Sequence, residues 1–95
     1  MKTTLEFLNE VVAMHRDKIT SDSALARFLG VTRQAVHLYK TGQNMSVLVA
    51  LKVAKILNIH PLETVAATLH AQAATEDEAD FWLRLYEEHK RRSTE

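Results

Sequence analysis

Apolar residues recur along this chain at helical rather than strand spacing. Leu5, Leu8, Val12 and His15 form a first stripe, which predicts a helix capped by Thr3 or Thr4. The polar run 17–23 ends it. Leu25, Phe28 and Leu29 then mark a short helix over 22–29, with Ser21 as its N-cap and Gly30 as its left-handed stop. Thr32 is placed to cap a third helix over 33–40, which Thr41 and Gly42 end. Ser46 opens a fourth over 47–57 (VLVALKVAKIL), apolar on nearly all sides and therefore read as central, with Asn58 as its left-handed cap. Pro61 suits the first position of a fifth helix, with Glu63 in the capping turn. Thr75 and Glu78 spell a capping box for a sixth, which carries Ala79, Trp82, Leu83 and Tyr86 and ends in the cations 89–92. No strand pattern of useful length occurs. With only two glycines and one proline, turns are few. The pattern predicts an all-α chain.

Ninety-five residues supply one modest core, and an apolar share of 46 % with 25 % charged residues is ordinary for a globular chain. Cysteine is absent, which removes disulfides and thiolate metal sites. The run 47–57 is too short to span a bilayer and contains Lys52 and Lys55. Acids stand among the first ten residues, where a secretion signal needs an apolar stretch, so a cytoplasmic location is expected.

Net charge is zero, 12 basic against 12 acidic residues, which by itself disfavours nucleic acid. The distribution alters that reading. From Ser23 to Leu62 there is no acid, whereas Arg27, Arg33, Lys40, Lys52 and Lys55 all fall within this block. A stretch free of negative charge suits a polyanion-facing surface; it also suits a plain core segment, where acids are rare. Histidines 15, 37, 60, 70 and 89 show no ligand spacing, so no metal is expected. Neither a nucleophile elbow nor a phosphate loop is present, which argues against an enzyme and against a cofactor or small-molecule ligand.

Two short helices joined by a glycine-containing turn describe a helix-turn-helix. Ala26 lets the helices approach, Gly30 supplies the turn, and Val31, Val36 and Tyr39 face inward. The second helix then presents Arg33, Gln34, His37, Leu38 and Lys40. The ordered set L-A-x-x-L-G-V-T-x-x-x-V-x-x-Y-x-x-G over 25–42 resembles the lambda repressor and Cro-like helix-turn-helix family. The resemblance runs from Ser21 to about Leu62. It implies a lambda repressor-like bundle of about five helices (residues 1–62 as the DNA-binding core) with an additional C-terminal helix in the extension 63–95.

The function it implies is a sequence-specific transcriptional regulator, of the phage or prophage repressor kind, binding double-stranded DNA at a palindromic operator and associated with the bacterial nucleoid. An excisionase or architectural factor, or an antitoxin repressing its own operon, fits the same motif. A protein-interaction adaptor that binds no DNA would suit the neutral charge. Arg33 and Gln34 are the base-reading candidates, because Arg pairs with guanine and Gln with adenine in bidentate fashion. His37 and Leu38 follow on the helix, with Leu38 either meeting a thymine methyl or turning into the core. Thr32, Lys40, Gln43 and Asn44 are candidates for phosphate or base-edge contact. The family often places a phosphate-contacting Gln where this chain has Asp22, so Ser21, Ser23 and the helix amides would take that contact while Asp22 repels. On the last helix Phe81, Trp82, Leu85 and Tyr86 make a wide aromatic face, which points to homodimerisation.

Overall fold

A computed structural model describes residues 1–93; the last two residues of the 63–95 segment lie outside the described part. Among the described residues the chain forms six helices and no strand: α1 (Thr4–Met14), α2 (Asp22–Leu29), α3 (Arg33–Lys40), α4 (Val47–Leu57), α5 (Pro61–Ala71) and α6 (Glu76–Ser93). The starts are set by side chains that accept amides the first turn leaves unpaired. The Ser21 hydroxyl accepts the Ala24 N–H at 3.1 Å, Thr32 that of Ala35 at 3.1 Å, and Ser46 that of Val49 at 3.2 Å. Thr3 forms a full capping box with Glu6. At α6 the Thr75 hydroxyl accepts the Glu78 N–H, while the Glu78 carboxylate reaches back to the Ala74 N–H, one residue further than expected.

The start of α5 adds a cap to the one expected from Glu63. At α5 the cap is His60, whose Nδ1 accepts the Leu62 N–H at 3.0 Å. Glu63 lies in the first turn, as expected, where its carboxylate accepts the His60 backbone N–H, and it also pairs with Lys90 of α6. Burial raises the Glu63 carboxyl pKa, but the hydrogen bond and charge of Lys90 outweigh it and hold the group below its ordinary value.

Two helices end in the left-handed conformation, at Gly30 (φ 71°) and Asn58 (φ 56°). In each the next amide closes the turn, Val31 N–H to Ala26 C=O at 2.9 Å and Ile59 N–H to Ala54 C=O at 3.0 Å. Lys52 of α4 reaches the same corner, donating to the Leu29 carbonyl at 3.4 Å. A Cβ added at Gly30 would stand 2.9 Å from the Lys52 Nζ, a flexible end that can retreat, so the cost of a side chain is set by the backbone. Gly30→Ala is expected to lower unfolding stability by about 1 kcal/mol, the order of the left-handed penalty. Urea unfolding measures this, and an unchanged midpoint would show that the corner relaxes.

The core is built around α4, which packs against α1, α2 and α5. It contributes Val49, Ala50, Val53, Ala54 and Leu57, all buried. Leu25, Ala26 and Leu29 come from α2, and Val36 and Tyr39 from α3. Burial pushes the Tyr39 phenol pKa up. Two sequence-based stripes are corrected here. On α1 the buried positions are Thr4, Phe7, Leu8 and Val11, whereas Leu5, Val12 and His15 are half-buried. The neighbours α3 and α4 approach α1 on the 4–7–8–11 side. Nor is α4 enclosed on all sides: Val47, Leu48 and Leu51 are 39 %, 64 % and 44 % exposed.

Three buried or part-buried polar contacts tie distant segments together. Thr4 Oγ1 accepts the Met45 N–H at 3.0 Å, Gln72 Nε2 donates to the Met45 carbonyl at 3.1 Å, and Thr64 Oγ1 donates to the Ala50 carbonyl at 2.7 Å. The first two satisfy both backbone groups of Met45, which enters the core between α3 and α4. With Thr64, Ala66, Ala67 and Thr68 buried against its neighbours, α5 shares this core, and residue 62 falls inside it. The outer layer is α6, which packs on α5 and buries no residue fully. His60 and His89 bring their rings within 4.5 Å where the two helices meet.

Candidate nucleic-acid interface

Residues 30–32 join α2 to α3, and what is buried at this corner decides what is presented. Ala26 (3 % exposed), Leu29 (1 %) and Val36 (0 %) fill the angle between the helices. Tyr39 is buried, and Val31 is half-buried against the same cluster. With 36 and 39 turned inward, helical geometry sends 33, 34, 37 and 38 outward. Arg33, Gln34, His37 and Lys40 are all exposed, and so is Leu38 at 36 %, which decides the question of its direction in favour of solvent. Arg33 and His37 lie one turn apart, as do Gln34 and Leu38, so four side chains of different chemistry share one face.

The remaining candidates divide. The Ser21 and Thr32 hydroxyls are exposed and already engaged as acceptors in their caps, which leaves each O–H free to donate. Ser23 and Asn44 are half-buried. Gln43 is exposed, and its backbone N–H is used by the Leu38 carbonyl at 3.0 Å.

Lys40 forms an ion pair with Asp22, from the last residue of α3 to the first residue of α2. The hydrogen bond from Lys40 holds the Asp22 carboxyl below the ordinary carboxylate range; desolvation opposes it, and the charges of Lys40, Arg33 and His37 add to the lowering. This pairing is the feature that sequence reasoning misses. The two lie on different helices, 18 residues apart, so no spacing rule could have joined them.

On α6, Phe81 is 58 % exposed, while Trp82, Leu85 and Tyr86 are half-buried. Phe81 and Trp82 meet edge to face with centroids 5.0 Å apart. Lys90 lies 5.7 Å from the Tyr86 ring centroid. Part of the aromatic face is thus spent inside the chain.

Elsewhere, a cleft of about 360 Å³ opens between the ends of α1, α4, α5 and α6, with Phe7, Met14, Leu57 and Ile59 among its apolar lining and Lys2, Glu10, Glu63 and Lys90 at its charged edges. Among the described residues no three His, Asp or Glu side chains gather as metal ligands, and no helix is long and apolar enough to cross a membrane. Comparison with protein-family profiles, curated proteins and solved structures finds no match to this chain.

Proposed function

We propose that α2, α3 and the three residues between them act as a helix-turn-helix, and that the protein is a sequence-specific DNA-binding regulator of transcription that works as a homodimer. The observation that carries this reading is the outward face of α3. Arg33, Gln34, His37 and Leu38 are exposed together on a helix without an acidic residue, held by Val36 and Tyr39 beneath. A helix of that kind fits a B-DNA major groove, where Arg and Gln discriminate bases. The charge block 23–62 supplies the basic surroundings, and the Ser21 and Thr32 hydroxyls lie at helix N-termini, which favour phosphate.

Selection from a randomised duplex library identifies the preferred site. Arg33→Ala or Gln34→Ala should then cost about 1–3 kcal/mol on that site and much less on random duplex, where binding is mostly electrostatic. Circular dichroism confirms that each variant is folded. Equal losses on both duplexes would remove these residues from base readout. The competing reading is a protein-interaction adaptor, favoured by the zero net charge. It predicts no duplex binding that weakens steeply with salt.

A further inference from the structure

Asp22 combines a favourable helix position with a partner on another helix. It is the first residue of α2, where free amides favour an anion, and its carboxylate takes the Lys40 ammonium from the far end of α3. Arg33 and His37 also direct their charge at it. Arg33, His37 and Lys40 follow one another at helical spacing, so the carboxylate faces the whole cationic stripe of α3. Both partners remain open to solvent, with side chains 41 % and 47 % exposed. An exposed pair of this kind adds little to folding. Its consequence lies in what the surface can offer to another anion.

We propose that Asp22 is a tuning residue of the DNA-binding surface: it serves as an internal counterion that withholds Lys40 from the DNA backbone and so sets the strength of sequence-independent binding. The inference rests on the function proposed above. Counterion bookkeeping gives it a quantitative form. If the pair stays closed on DNA, Lys40 neutralises no phosphate. If it opens, Lys40 displaces one cation from the DNA, but the freed carboxylate, now beside phosphates, requires one in return. Either way the pair contributes nothing to the salt dependence. Removing the carboxylate charge lets Lys40 count as a phosphate contact.

The test titrates wild type, Asp22→Asn, Lys40→Ala and the double variant against a fluorescently labelled mixed-sequence DNA duplex over a range of salt. Asp22→Asn should steepen the slope of log K against log[salt] by about 0.9 for each subunit engaged. Over the decade below 1 M that slope amounts to about eightfold tighter binding per subunit at 0.1 M salt. Lys40→Ala alone should weaken binding and make the slope shallower, by up to about 0.9 for each subunit engaged, since the unpaired carboxylate takes up a cation beside the phosphates. In the Asp22→Asn background the same change should cancel the gained slope. Asp22→Glu, which keeps the charge, should keep the wild-type slope. A capping or structural role for Asp22 would alter folding but not this pattern of slopes. Wild-type binding with an unchanged slope in Asp22→Asn overturns the counterion role and leaves the DNA-binding reading standing. Absence of duplex binding by folded wild type overturns both.

Discussion

A chain ending after Ala74 is expected to stay folded, to sediment as a monomer, and to lose about 10²–10⁴-fold in affinity for a two-half-site operator. The factor is the gain from making the second recognition event intramolecular. It would be retained only if dimerisation survives. The structure indicates why the remainder should fold. No residue of α6 is fully buried, and its packing is against α5. The truncated chain keeps α1 to α5 and also Gln72, whose side chain holds the Met45 carbonyl. The proposed dimer contact is centred on Phe81, the most exposed of the four aromatic-face residues, with Trp82, Leu85 and Tyr86 beside it. Two recognition helices related by a two-fold axis require half-sites about one helical turn, roughly 10 base pairs, apart. Sedimentation velocity, circular dichroism and operator titration read the three parts separately. A truncated chain that is still dimeric would put the interface within α1 to α5. One that unfolds would make α6 part of the core.

Leu29→Ala is expected to remove about 2–5 kcal/mol of unfolding stability, the usual range for emptying a closed leucine site. Leu29 is 1 % exposed and ends α2 at the corner that sets the angle to α3. Against a total of about 5–15 kcal/mol for a domain of this kind, that is a large share. Leu38→Ala provides the comparison. That leucine is 36 % exposed on the outward face of α3, so its loss should change stability by no more than about 0.5 kcal/mol. Any effect of Leu38 should appear in DNA binding instead. Urea unfolding of both variants decides the matter, and similar destabilisation by both would contradict the assigned directions of the α3 side chains.

These leucines also mark the boundary between local and tertiary information. The bounds of α2, α3 and α4 agree with the sequence reading because their signals lie within three or four residues. Ser21, Thr32 and Ser46 each accept the amide three residues on, and Gly30 and Asn58 adopt the left-handed turn that few other residues tolerate. The outward sense of 33, 34 and 37 was legible for the same reason, since an inward Val36 and Tyr39 fix it by helical geometry, whereas Leu38 was open in the sequence and only its 36 % exposure decided its direction.

What depended on neighbours was not legible. Both Leu5–Leu8–Val12 and Phe7–Leu8–Val11 are helical stripes, and only the positions of α3 and α4 decide that the second is buried. Likewise α4 is apolar around much of its circumference, but three partner helices leave Val47, Leu48 and Leu51 uncovered.

The ion pairs follow the same division. Asp22 meets Lys40 across 18 residues and Glu63 meets Lys90 across 27, so each charge looked like an independent surface group until the helices were placed. The sequence by itself determined the helices, most of their ends and the outward sense of Arg33, Gln34 and His37, though not of Leu38, because backbone hydrogen bonding and capping act over one turn. Tertiary structure alone decided which side of α1 and α4 is covered and which charges are paired, because burial and ion pairing depend on distances between elements.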